Sequence, residues 1–183
     1  MELSGDLRSA IAGFLVACGA RDRVHTGRTF LAHALAVGDL LAAWGCRDAV
    51  CLAGICHSIY GTHSSKGAAL GLDRRDDLRR LIGDEAEGLV YLNCAVDHRS
   101  LDLALLSNQE PFRLRDRWTR SIRELAAPVF DDLLRVHLAD WIEQVPHSTI
   151  RGYRHDTQSR IARRLGGAPL AAFRAIEGSD VPD

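Results

Sequence analysis

Three residues that bind divalent metals well, His33, His57 and Asp140, stand on helix faces that are otherwise apolar. Imidazole offers a nitrogen lone pair and carboxylate a charged oxygen. Such a set holds a first-row divalent ion and leaves coordination positions open. An ion with open positions acts on a bound water or substrate oxygen, so the pattern points to chemistry rather than to stability alone.

Each residue also has a plainer alternative. His33 shares one face with Phe30, Val37, Leu40, Leu41 and Trp44, where a neutral core histidine satisfied by a backbone carbonyl would also fit. His57 follows Val50, Ala53 and Gly54 at the end of an almost wholly apolar run. A histidine there suits the helix dipole as a cap, and Gly54 leaves room for a neighbouring backbone or a bulky ligand. Asp140 shares a face with Val129, Leu133 and Val136. An ionised carboxylate among such neighbours must be metal-bound, protonated or paired, with Arg28 or Arg99 as candidate partners. One explanation serving three helices is more economical than three separate ones, and helical bundles do build metal sites from inward-facing ligands.

The elements that must position these residues are helical. The spacing predicts helices over about 5–19, 27–44, 47–59, 73–81, 83–96, 127–145 and 155–165. Thr26 is a candidate N-cap for the second and Gly45 its stop. Pro128 suits the first turn of the long helix, and Pro146 ends it. Gly61 opens the polar loop GTHSSKG. Residues 98–123 show no clear period, and Pro111 marks a loop there. No strand-like alternation stands out, so the predicted class is all-α. One helical domain is expected over 1–166, then a short C-terminal helix and loose tail at 167–183.

At 183 residues a single core buries about 70% of the unfolded surface, so folding needs no disulfide or structural metal. The 23 basic and 24 acidic residues give a net charge of −1, which argues against a nucleic-acid binder. Cys18, Cys46, Cys51, Cys56 and Cys94 make an odd set without a close pair, which reads as reduced thiols in a cytoplasm. MELSGDLRSA is not a secretory signal, and no apolar run reaches the ~20 residues that span a bilayer. The expected partner is a small molecule, not nucleic acid or membrane; a homodimer is allowed.

The segments TFLAHALAVGDLLAAWG, VCLAGICHSIYGT, LIGDEAEGLVYL and VHLADWIEQ, in that order, resemble the HD-domain superfamily of metal-dependent phosphohydrolases. The likeness covers about residues 22–145 and is closest to the hydrolase domain of the bifunctional guanosine tetraphosphate synthetase/hydrolases. It implies an HD-like helical bundle with His33, His57 and Asp140 as metal ligands. The chain departs from the family at its doublet, where His57 is followed by Ser58 instead of Asp. Where the alarmone hydrolases carry an acidic pair, this chain has Tyr60 and Gly61, followed by Thr62. The wording HTGRTFLAH with CHSIYGT also resembles a group of small bacterial HD-like proteins that lack the doublet's Asp.

The expected cofactor is one divalent ion, Fe, Mn or Zn. The expected activity is hydrolysis of a small anionic or phosphorylated metabolite by a metal-bound water. Two His and one carboxylate also form the pattern of non-haem Fe(II) oxygenases, and a non-catalytic ligand-binding relic is a third reading. His25, Tyr60 and Thr62 are the candidate catalytic residues around the ligands. Arg28, His63, Lys66 and Gln144 are the candidates for substrate. His137 stands three residues before Asp140, with no second such motif to make a dinuclear site. The run Asp97-His98-Arg99 reads most simply as a solvated helix end.

Overall fold

Ser4 opens the first helix, its Oγ accepting from the Leu7 amide. In the computed structural model, which describes residues 4–19, 24–25, 28–63, 67–147 and 152–178, the chain is mostly helical. The described helices are α1 (Gly5–Ala17), α2 (Phe30–Ala43), α3 (Asp48–Cys56), α4 (Arg75–Ile82), α5 (Asp84–Ala95), α6 (His98–Ser107), α7 (Ala127–Gln144), α8 (His155–Leu165) and α9 (Gly167–Gly178). The predicted helices are all present, with shifted ends.

The start of α2 is one of the ends that shift. Thr26 lies outside the described residues, and the cap is Thr29, whose Oγ1 accepts from the Ala32 amide at 3.2 Å. The chain just before it pairs as a short antiparallel ladder of β1 (Val24–His25) with β2 (Arg28–Thr29). The stretch without a clear period resolves into α6 and a hairpin, β3 (Phe112–Arg115) with β4 (Ile122–Leu125). Phe112 and Leu114 point inward and Arg113 and Arg115 outward. That alternation spans only four residues, too few to stand out in sequence. The all-α reading therefore gains two small hairpins, and the helical architecture is unaffected.

α7 is the central element: it packs against α2, α3, α5, α8 and α9. Its length follows from Pro128 in the first turn and the short 3₁₀ turn Val145–His147 at its end. α9 adds Phe173 to the same core, stacked on Trp141 of α7. Two buried carboxylates tie the outer elements down. Glu87 accepts from Tyr60, from Arg75 through Nε and Nη2 (2.6 and 2.8 Å), and from Arg79. Asp116 accepts from Tyr91, Arg123 and the Trp118 and Thr119 amides. The five cysteines are free. Among the described residues, no helix is long and apolar enough to cross a membrane.

The α2–α3 contact brings the two histidine-bearing elements together, and glycine allows it. A Cβ on Gly38 would stand 2.4 Å from Ile55 Cγ1, and one on Gly54 would stand 2.3 Å from Leu41 Cδ1. The room predicted at Gly54 for a backbone or ligand is filled by the Leu41 side chain of α2. Gly38→Ala is therefore expected to destabilise the fold by about 1–3 kcal/mol through overpacking. Urea unfolding of the variant beside wild type checks this, with an unchanged slope marking an effect on stability alone.

Candidate metal centre

His33 lies in the first turns of α2 with its side chain almost wholly buried. Its Nδ1–H donates to Glu143 Oε2 on α7, which leaves Nε2 facing the interior of the bundle. His57 caps α3, and its Nδ1–H donates to the Gly54 carbonyl at 2.8 Å. The capping role and the ligand role thus use opposite nitrogens of one ring. Asp140 comes from α7, one turn before Glu143 and Gln144, and all three share a face. Gln144 Nε2 donates to Asp140 Oδ1.

Three atoms converge. His33 Nε2 is 3.1 Å from Asp140 Oδ1, His57 Nε2 is 3.3 Å from the same oxygen, and the two Nε2 atoms are 3.4 Å apart. Metal–ligand bonds of about 2.0–2.1 Å in a tetrahedral arrangement separate neighbouring ligand atoms by about 3.3 Å. The triangle therefore fits a first-row divalent ion with at least one position left open. The Nδ1 bonds fix both rings in the tautomer that presents Nε2, as second-shell partners do for histidine ligands. The Asp140 side chain is 26% exposed while both imidazoles are sealed, so the open side faces solvent past the carboxylate. Ser58 Oγ, in the doublet's second position, is buried and has no hydrogen-bond partner among the described residues.

The charges are coupled. Burial pulls the His33 pKa down, but hydrogen bonds and attraction from Asp140 and Glu143 prevail and raise it to about 9. Burial resists ionisation of Asp140, yet the adjacent His57 and His33 hold its carboxyl well below the usual carboxylate range. Without an ion, His33 is therefore an imidazolium at neutral pH, and its Nε2–H occupies the place an ion would take.

The structure brings together His33, His57, Asp140 and Gln144. It does not bring Tyr60 into that group by any hydrogen bond; its phenol is committed to Glu87 at 3.0 Å. Burial and the Glu87 charge raise the phenol's pKa far above its ordinary value. Thr62 is half-buried in the loop after α3. His63 is exposed there and stacks on His98, with ring centroids 4.4 Å apart. His25 and Arg28 are paired in the β1–β2 ladder, with side chains outside the described set. Lys66 lies outside the described residues. Sequence reasoning missed Glu143 and Asn93. Glu143 stands at i+3 from Asp140, a visible signal, but its pairing with His33 spans two helices. Asn93 donates to the His57 carbonyl at 2.8 Å.

The cleft of about 500 Å³ lined by Arg47, Arg75, Tyr91, Arg123 and Leu125 lies elsewhere and contains none of the three ligands. Its arginines are bound to Asp132, Glu87 and Asp116. Donor geometry, not cavity size, marks the candidate metal centre.

A family model described as a domain of unknown function, DUF6817, matches residues 14–98. The matched stretch holds His33 and His57 and stops before α7. No curated protein and no solved structure matches the chain.

Glu143→Gln keeps a hydrogen-bonding group beside His33 but removes its charge. Divalent-ion affinity is expected to fall about 10–100-fold in a folded protein, measured by competition with a chromophoric chelator. A second expectation concerns pH. The His33 pKa is raised on folding from 6.5 to about 9, so its stabilisation of the metal-free chain is complete below pH 6.5. That contribution is lost as pH rises through 9. The melting temperature of chelator-treated protein should therefore decline between these values. Over the same window, ion affinity should rise, because His33 must release its proton to coordinate.

Proposed function

We propose that the chain is a metal-dependent enzyme with an HD-like helical core that hydrolyses a small phosphorylated or otherwise anionic metabolite. The observation that supports it most is the convergence of two Nε2 atoms and Asp140 Oδ1 within 3.4 Å. Both Nδ1 atoms are already bonded. The order of ligands along the chain, on α2, at the end of α3 and on α7, supports the HD-like reading.

When bound, a divalent ion supplies a water of lowered pKa and a positive charge for a substrate oxygen. The chain's own residues do the rest. His33 and His57 present their Nε2 atoms, and Glu143 and the Gly54 carbonyl keep those rings from rotating. Gln144 fixes the Asp140 oxygen by donating to it. The buried imidazoles keep water out from below, so substrate approaches past Asp140. In this reading His25 and Thr62 serve the reaction. Arg28, His63 and Lys66 serve the anionic part of the substrate.

A second reading, an Fe(II) oxygenase, is favoured by the donor set itself: two nitrogens, one carboxylate oxygen and Ser58 in place of a fourth ligand. Metal content separates the readings. Protein purified without oxygen or chelator is compared with Asp140→Ala by inductively coupled plasma mass spectrometry. Near-stoichiometric zinc or manganese that the variant lacks is the expected result. Iron in its place, with substrate-dependent oxygen uptake, would move the assignment to the oxygenase. No metal in either sample after reconstitution would make the three residues structural and the protein a binding module. Hydrolysis of phosphorylated metabolites that survives EDTA would also sink the hydrolase.

A further inference from the structure

A second group of nitrogen-bearing side chains stands next to the metal centre and is used by none of the roles above. His137 is on α7, one turn before Asp140. Its Nδ1–H faces Asn93 Oδ1 at 3.4 Å, and Asn93 is oriented by donating to the His57 carbonyl. His98, the first residue of α6, sets its ring edge-on to His137 with centroids 5.4 Å apart. Among the described residues the His98 ring nitrogens have no hydrogen bond; the ring is held by the His137 contact and the His63 stack.

Arg154 completes the group. It stands at the start of α8 in the left-handed region, at φ 52°, a conformation that favours glycine and costs a bulky residue energy. Its side chain is 12% exposed, and Nη2 donates to Asp102 at 2.5 Å. Its Nε–H is buried without an acceptor among the described residues. A buried charged donor left open is rare in a folded protein unless a water or ligand meets it. Asp102 stands on α6 one turn after His98, so the Arg154–Asp102 pair sets the guanidinium against the helix that carries that ring. Burial, His137 and Arg154 push His98 down to about 2, and burial and Arg154 push His137 down to about 4. His137 stands one turn before Asp140 on α7, and Asn93 joins it to the His57 carbonyl, which sets the group beside the ligand triangle.

We propose that Arg154 and His98 form an oxyanion subsite beside the metal ligands, with the His137 ring edge-on to His98, and that it takes a phosphate-like group of the substrate. Arg154 offers Nε–H and a full positive charge, and His98 offers a neutral ring N–H. The Nε2 of His137, with Nδ1 turned to Asn93, remains an acceptor for a hydroxyl of the same ligand or for water. His63, stacked on His98, joins this subsite to the residues already proposed for the anionic part of the substrate. This rests on the metal-centre reading and adds the class of ligand and the residues that hold it.

The test uses inorganic phosphate as the probe and the cobalt-loaded full chain as the receptor, read by calorimetry and the visible spectrum. Wild type is expected to bind phosphate. Arg154→Gln and His98→Ala should each weaken that binding by about tenfold or more, with cobalt stoichiometry and the phosphate-free spectrum unchanged. His98→Ala removes a ring with no hydrogen bonds, so it preserves the fold even if loss of the Asp102 pair unfolds the arginine variant. Phosphate affinity equal in wild type and His98→Ala, or cobalt uptake without any phosphate binding, overturns the subsite. Failure of wild type to take up cobalt overturns the metal reading instead. The subsite is then judged on the metal-free chain, where phosphate binding that persists in both variants, or no binding at all, refutes it.

Discussion

One oxygen, Asp140 Oδ1, imposes the tightest constraint on the molecule. It stands 3.1 and 3.3 Å from two imidazole nitrogens carried by other elements. An ionised carboxylate brought into a core costs several kcal/mol unless charge and hydrogen bonds replace its water. Those replacements come from α2, from the end of α3 and from Gln144 of its own helix. α7 must therefore hold one register and one rotation against two neighbours at once. The close α2–α3 approach at Gly38 and Gly54 keeps the two imidazoles within 3.4 Å of each other. The packing of small residues and the polar centre are thus two sides of one requirement.

The same requirement makes this a point that could hold a cation. Without an ion, Asp140 and Glu143 each bring one negative charge and protonated His33 one positive, so the cluster sums to −1. A divalent ion that displaces the proton brings the sum to zero. The proton and the ion compete for one place, because Nε2 of His33 points there in either case. Glu143 supports both states: it holds the Nδ1–H whether or not Nε2 is protonated. A neutral buried cluster then leaves an approaching anion opposed by no net charge. A family-type doublet with a second carboxylate would keep the centre negative, and Ser58 removes that term.

The three ligands were legible because each broke a pattern. A polar residue in an apolar helical stripe is visible from spacing alone, and three of them on separate helices constrain one another. The helices were legible for the same reason, from their apolar period and from stops such as Gly45 and Pro146. What escaped depended on contacts between elements. Glu143 sits on a charged stretch of α7 and looks solvated until His33 arrives from α2. Tyr60 looked available to a substrate because it follows the ligand; its partner Glu87 is 27 residues away on α5. The β3–β4 hairpin escaped because its inward residues are only Phe112, Leu114 and Leu125, with the hydrogen bonds of Asp116 supplying the rest of its shape. His98 reads as a helix-end histidine until α7 and the loop after α3 place a ring on each side of it.

The way arginines are used separates structural charge from available charge. Arg75 is bound through Nε and Nη2 to Glu87, and Arg123 is bound to Asp116. Arg117 donates to the carbonyls of Cys94 and Gly61, and Arg164 pairs with Asp131. In these cases the guanidinium closes a gap between elements, and its Nε–H has an acceptor. A rim charge with such a partner adds little when a ligand arrives, since the pair must first be broken. Arg154 differs because Asp102 engages one end of its fork and the buried Nε–H faces no acceptor among the described residues. Leaving that donor unmet costs about 1–3 kcal/mol or more for a charged group, a cost a fold sheds by mutation unless something fills the position. The unmet donor sits beside rings that feel Asp140. The charge this bundle leaves available is therefore at the start of α8, tied through Asp102 to the helix that begins with His98.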